Sequence, residues 1–258
     1  MAALRMKILL EKRAESAYLT LDRRPLNVLD LAAARQLHEA LQATGADETV
    51  SFLVIRGAGE RAFSAGVDVN DHTPDKVPEM LAAVHGTIRS LLSLPQITIA
   101  QVRGACLGGG CEIASSCDFI LAAEDSYFAT PEIQVGCYPP VALARFPTQI
   151  GYHRAADLIL TGRRLSAQQA AAIGLINRAV PAGDLDRAVE ELLAELKGKS
   201  RAVLRLALKG LRELSLAGFS QRLARSEEIY LKELLKTEDV EEGVRAFLEK
   251  RKPSWRHR

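Results

Sequence analysis

Ile97-Thr98-Ile99-Ala100-Gln101-Val102 runs into Gly108-Gly109-Gly110-Cys111-Glu112, and this stretch decides the reading of the chain. A strand that ends in glycines and opens a short helix leaves unpaired main-chain N–H groups pointing outward. Such groups suit a negative charge developing on a carbonyl oxygen. Glu112 lies in an otherwise small and apolar run, Ile113 to Cys117, and a second carboxyl follows Asp118 and the apolar Phe119 to Ala123 at Pro131-Glu132. Two carboxyl groups beside such a hole divide acid and base work between them. The pattern points to chemistry next to a carbonyl.

Each feature also has a plain structural reading. Glycines allow close strand–helix packing, a glutamate in a first turn complements the helix dipole, and Glu132 after a proline is an ordinary capping position. Their conjunction favours chemistry. A rival motif, Gly57-Ala58-Gly59-Glu60-Arg61-Ala62, fits the dinucleotide fingerprint in form. That fingerprint needs a helix at once and an acid at the next strand tip. Phe63-Ser64-Ala65-Gly66 is a poor helix start, and Glu79 sits in a helical stretch. No Gly-Lys-Ser/Thr follows a glycine cluster, which excludes a P-loop.

The 258 residues, 48% hydrophobic and 26% charged, suit one soluble unit with an ample core. A net charge of +2 from 34 basic and 32 acidic residues gives no global field for nucleic acid. The basic tail (Lys250, Arg251, Lys252, Arg256, Arg258) is read first as a solvated helix end. Cys106, Cys111, Cys117 and Cys137 form no Cys-x-x-Cys and have no histidine between them, so no metal site is expected. Small core cysteines fit a reducing, cytoplasmic setting. Met1 to Lys12 lacks the apolar core of a signal peptide, and no run of about eighteen apolar residues predicts a membrane span.

Alternation from Lys7 to Leu10 and from Ala17 to Leu21 predicts an initial hairpin. Asp30 caps a helix with Leu31, Ala34, Leu37 and Leu41 on one face. Ser51 to Arg56 and Ile97 to Arg103 read as strands. Between them Val77, Leu81, Val84, Ile88, Leu91 and Leu92 mark a helix that stops at Pro95. Gly151 to Thr161 reads as a helix, and Ser166 to Gln169 as the capping box of another, ended by Gly174. From Leu185 the pattern is helical throughout. Arg56-Gly57-Ala58 and Arg103-Gly104-Ala105 echo one another, as stacked strand–turn–helix units would.

These residues carry a family resemblance. Phe63-Ser64-Ala65-Gly66-Val67-Asp68, the run Gly104 to Glu112, Thr130-Pro131-Glu132, Leu160-Thr161-Gly162, Ala170 to Leu175 and Glu242 to Arg251 together resemble the crotonase (enoyl-CoA hydratase/isomerase) superfamily. The match is in order along nearly the whole chain. It implies an α/β fold: a spiral of repeated ββα units over residues 1–195, then a helical oligomerisation region over 196–258. By resemblance, the amides of Val67 and Gly109 form the oxyanion hole, with valine where the family often has alanine. Glu112 and Glu132 fall on the two acid/base positions of true hydratases, so retention of both implies a lyase that adds water to an α,β-unsaturated acyl-CoA. An ordinary short-chain enoyl-CoA hydratase of fatty-acid β-oxidation and an enoyl-CoA isomerase are the alternatives.

The resemblance also places Arg61 against coenzyme A phosphates and Arg24 and Leu26 along the adenine–pantetheine channel. Ala65, Asp68 and Val69 fall beside Val67 on the substrate side. Phe247 and Lys250 reach coenzyme A from the C-terminal helix, in a trimer or hexamer of like chains. No cofactor or metal is implied, since coenzyme A arrives with the substrate. A non-catalytic, RNA-binding relative is suggested only by the basic tail.

The chain departs from the common pattern at Gly136-Cys137-Tyr138-Pro139-Pro140-Val141-Ala142, where many hydratases have a glycine-rich stretch. Proline has no N–H to donate, so a water held there by a main-chain amide must be held otherwise. This segment and Asp71-His72-Thr73-Pro74 resemble the cyclohexadienecarbonyl-CoA hydratases of anaerobic aromatic degradation. Tyr138 and Pro140 then become acyl-pocket residues. His72, a lone loop histidine, is read as a surface residue, with a pocket position as the alternative.

Overall fold

A computed structural model describes residues 8–258; the expected strand start at Lys7 lies outside them. The alternating N-terminal runs form an antiparallel hairpin of β1 (Ile8–Arg13) and β2 (Ser16–Leu21), with Ile8 opposite Leu21. Helix α1 (Leu31–Ala46) follows, and Asp30 caps it by accepting the Ala33 amide, as its position predicts. Strand β3 (Phe52–Gly57) pairs in parallel with β2 and leads to the short β4 (Ala62–Ser64). Helix α2 (Val77–Ser93) ends just before Pro95.

The next turns repeat this plan. Strand β5 (Ile97–Val102) leads to β6 (Ala105–Leu107) and helix α3 (Gly109–Ser115). Strand β7 (Phe119–Ala123) leads to β8 (Tyr127–Ala129), a 3-10 turn over Pro131–Val135, and helices α4 (Pro140–Gln149) and α5 (Tyr152–Thr161). Strand β9 (Leu165–Ser166), helix α6 (Ala167–Ala172) and strand β10 (Arg178–Val180) complete the sheets. Ser166 and Gln169 make the expected capping box. Helices α7 (Leu185–Lys197), α8 (Arg201–Ser215), α9 (Phe219–Lys232) and α10 (Glu238–Leu248) end the chain, which confirms the helical reading from Leu185.

The large sheet has the order β1-β2-β3-β5-β7-β10 and the small one β4-β6-β8-β9. Strands β3, β5 and β7 of the first each hand the chain to a short strand of the second. This is the physical content of the Arg-Gly-Ala echo. At Gly104, with φ +63°, an added Cβ would lie 2.2 Å from the Arg61 carbonyl oxygen, so the crossing admits only glycine.

Both faces of the large sheet are covered, hence its continuous apolar strands. Leu53 and Ile55 of β3 join a core with Leu37, Leu41, Ile88 and Leu91. Phe52 and Val54 point the other way, onto Leu185, Val189 and Leu193 of α7. Helix α9 adds Phe219 and Leu223 to the first core, while α8 leaves Val203, Leu206, Leu211 and Leu214 exposed.

Candidate active site

The β6–α3 junction bends at Gly108, where φ is +52° and an added Cβ would lie 2.5 Å from Glu132 Oε1. Helix α3 thus starts with no side chain between its first turn and the Glu132 carboxyl. Across the junction runs the Gly66-Val67 loop, tied to the chain before α1: Leu29 N–H donates to Gly66 O and Asp68 N–H to Leu29 O, both at 2.9 Å. The Val67 amide nitrogen is 3.5 Å from where a Gly109 Cβ would stand. Among the described residues neither the Val67 nor the Gly109 amide donates to another main-chain group. Two free N–H groups therefore face one space, the geometry an oxyanion needs.

That space belongs to a cavity of about 580 Å³ whose wall includes Val67, Gly109, Glu112 and Glu132. Glu112 is buried in the first turn of α3, and the Ala142 amide, in the first turn of α4, donates to its Oε1 at 2.9 Å. Burial pushes its pKa up; His85 and the amides of Ala142 and Val141 pull the other way by favouring the anion. Glu132 differs. The residue is half-buried, and its Oε2 is buried with no hydrogen-bond partner among the described residues. Burial, and then the negative charge of Glu112, push its carboxyl up to about 8, opposed only by its own amide. Glu112 has a fixed main-chain donor and Glu132 Oε2 has none among the described residues, which favours the anion at Glu112 and the neutral form at Glu132.

The enoyl-CoA hydratase/isomerase family model matches residues 11–258. The chain belongs to that family. A cyclohexa-1,5-dienecarbonyl-CoA hydratase from Thauera aromatica is 34% identical over 257 residues, covering 98% of this chain and 97% of its own. A crotonyl-CoA hydratase from Syntrophomonas wolfei is 30% identical, covering 96% and 97%. An enoyl-CoA hydratase structure from Mycobacterium avium subsp. paratuberculosis superposes with a TM-score of 0.88 at 25% identity, over 97% of this chain and 98% of that one. The chain is thus a lyase-type member of the family with the crotonase fold.

Of the residues that the family resemblance singles out, Ala65, Val67, Val69, Gly109, Glu112, Glu132, Tyr138, Pro140 and Phe247 line the cavity. Arg24, Leu26, Arg61, Asp68 and Lys250 do not. Arg24 is exposed and pairs with Asp22 at 3.0 Å; Arg61 and Lys250 are exposed, and Leu26 is 38% exposed. Asp68 caps the 3-10 turn Val69–Asp71 by accepting the Asn70 amide and meets Arg23 at 3.5 Å.

His72 corrects its surface reading. It lines the cavity with its ring tied to Asp68 O at 3.0 Å, and burial lowers its pKa. Tyr138 is held by its hydroxyl, which donates to Ser226 O at 2.8 Å, and by an edge contact with Tyr230 at 5.0 Å. Exposed Arg164 brings positive charge to the solvent side of the cavity, while Arg163 and Arg251 beside it are paired with Asp157 and Glu242.

Two cations of the basic tail, Arg251 and Arg258, pair with carboxylates of α10. Arg251 Nη2 donates to Glu242 at 2.8 Å, Arg258 Nε to Glu238 at 3.0 Å, and the Ser254 amide to Glu242 at 2.7 Å. Among the described residues no three His, Cys, Asp or Glu side chains are grouped to hold a metal, and no helix is long and apolar enough to cross a membrane.

Sequence reasoning missed His85, which is fully buried and in the cavity wall. Its signal was present. It lies four residues after Leu81 and three before Ile88, a polar residue on an apolar helical stripe. Tyr230 and Met80, also buried in the wall, carry no sequence signal beyond an apolar position.

Proposed function

We propose that the protein hydrates an α,β-unsaturated acyl-CoA thioester, with a cyclic dienoyl group as its preferred acyl moiety. The observation that carries the reading is the meeting of the Val67 and Gly109 amides with Glu112 and Glu132 in one cavity. The thioester carbonyl accepts both N–H groups. Glu112, the ionised carboxylate, takes a proton from water as the oxygen bonds to the β-carbon. The displaced electron pair becomes an enolate at the hole. Glu132, the protonated carboxyl, then protonates the α-carbon. The proton left on Glu112 returns to Glu132 before the next cycle. Every step uses side chains, main-chain amides and water, so the reaction as written needs no cofactor.

The cyclic preference rests on Tyr138, Pro139 and Pro140 in the cavity wall and on the full-length similarity to the Thauera aromatica hydratase. Prolines fix φ in advance, and the anchored Tyr138 offers a planar face. Arg164 is placed to meet a phosphate at the solvent side, and Arg61, Arg24, Leu26 and Lys250 are proposed further along the coenzyme A. The exposed apolar stripe of α8 and Phe247, 54% exposed, suit a homo-oligomer. Four buried free cysteines suit a reducing, cytoplasmic setting.

The test compares crotonyl-CoA with cyclohexa-1,5-dienecarbonyl-CoA, following the loss of conjugated absorbance. Faster turnover of the cyclic thioester is expected. Turnover of crotonyl-CoA alone makes the protein a short-chain enoyl-CoA hydratase, and turnover of neither overturns the hydratase reading.

A further inference from the structure

His85 lies on α2 with 0% of its surface exposed. Its Nδ1 is 2.7 Å from Glu227 Oε1 on α9, and Arg89 Nη2 donates to the same oxygen at 2.8 Å. Glu227 is held below its ordinary range, chiefly by the His85 hydrogen bond and against burial, so it is an anion that only accepts. That assigns a proton to Nδ1. In the tautomer protonated at Nδ1 alone, Nε2 is the ring nitrogen left to accept. Nε2 is buried, has no partner among the described residues, and belongs to a residue of the cavity wall beside Glu112. An unpaired buried polar atom costs about 1–3 kcal/mol, so its position calls for a ligand.

The opposite wall says which ligand. Pro139 and Pro140 have no N–H to offer, and the Ala142 amide is spent on Glu112. These three residues therefore offer no N–H to a water beside Glu112, and among the described residues the unpartnered buried polar atom of the wall, apart from Glu132 Oε2, is His85 Nε2. We propose that His85 Nε2 accepts one O–H of the attacking water while Glu112 accepts the other, which leaves an oxygen lone pair for the β-carbon. This rests on the hydratase reading above. In the addition step the O–H toward Glu112 breaks and its proton moves to that carboxylate as the C–O bond forms. The O–H toward His85 stays intact and becomes the hydroxyl of the product. Glu227 and Arg89 hold the ring in the tautomer this requires.

Two substitutions separate the ring's two nitrogens. In His85→Asn the amide still reaches Glu227 but stops short of the Nε2 position; in His85→Gln it reaches that position. The second readout is α-proton exchange of a saturated acyl-CoA in deuterated water, which needs the oxyanion hole and Glu132 but no attacking water. His85→Asn should lower kcat for hydration about tenfold to a hundredfold, the loss of one oriented hydrogen bond, with KM changed less than about threefold. Its exchange rate should stay within about twofold of the unmodified protein, and His85→Gln should regain most of the hydration rate.

Unchanged hydration in His85→Asn would overturn the assignment while leaving the hydratase reading intact. A parallel loss of hydration and exchange, or no recovery in His85→Gln, would mark His85 as a packing residue. An unmodified protein that exchanges α-protons but hydrates neither crotonyl-CoA nor the cyclic dienoyl thioester would overturn the hydratase reading, and this one with it.

Discussion

The Ala142 amide donates to Glu112 Oε1 at 2.9 Å from the first turn of α4, and this bond sets the two carboxyls of the cavity, Glu112 and Glu132, apart. Glu112 gains a fixed donor at the positive end of a helix, whereas Glu132 Oε2 gains none. Replacing either by glutamine should lower kcat for hydration by about two to four orders of magnitude. The roles separate in α-proton exchange of a saturated thioester. Glu132→Gln should abolish exchange, and Glu112→Gln should retain it. Exchange lost only in Glu112→Gln would reverse the assignment.

The pH dependence follows from the same asymmetry. Glu132 must carry a proton to serve the α-carbon during hydration, and its carboxyl is raised to about 8. Hydration should therefore fall as pH rises through about 8. Exchange, which needs the ionised form, should rise over the same range. Removing the Glu112 charge in Glu112→Gln removes a cause of the raised value, so the exchange profile should move to lower pH. A profile unchanged by that substitution would mean that burial alone sets the value.

Stability carries the matching signature. A carboxyl raised in the folded state favours folding fully below its unfolded value near 4.5 and loses that contribution as pH rises to about 8. Glu132→Gln removes the buried charge, so its Tm relative to the unmodified protein should be higher at pH 9 than at pH 5. For a chain of this size the shift is about 2–4 °C per kcal/mol. Thermal melts at the two pH values decide it.

Much of this site was legible because its parts are local. The glycines at 108–110, Glu112 and Pro131-Glu132 sit at strand and helix ends, where main-chain geometry dictates residue type. The capping residues Asp30 and Ser166 were readable for the same reason. Strands β4, β6, β8, β9 and β10 were not, since two or three residues carry no period. His85 escaped because its meaning lies in Glu227, 142 positions away, and in prolines on a different helix. Asp68 shows the converse: its place in a motif marked it as a substrate residue, and its side chain is engaged in a cap and an ion pair.

Assembly has its own test. The exposed leucines of α8, at 68–83% for Leu206, Leu211 and Leu214, are too apolar for a solvated face. Leu206→Asp with Leu214→Asp should shift sedimentation from an oligomer to a smaller species. If Phe247 completes a neighbour's coenzyme A site, KM should rise with it. A fully active monomer of the unmodified protein would refute the oligomer.

The acyl wall makes the sharpest prediction about substrate. Pro139 and Pro140 are buried, Pro140 opens α4, and Tyr138 is anchored to Ser226. A wall with φ fixed in advance loses little freedom when a ligand docks, so a flat ring meets a preformed slot. A flexible chain must give up rotamers to lie against the same surface. The ratio of kcat/KM for cyclohexa-1,5-dienecarbonyl-CoA to that for crotonyl-CoA should therefore exceed one. Pro140→Gly restores main-chain freedom and an N–H at the start of α4, and should shrink the ratio about threefold to tenfold, mainly by lowering the cyclic value. Tyr138→Phe keeps the face and removes the anchor, a hydrogen bond of about 0.5–1.5 kcal/mol, so its effect should be smaller and in the same direction. A ratio below one in the unmodified protein, or one that Pro140→Gly leaves unchanged, would show that the wall does not select the ring.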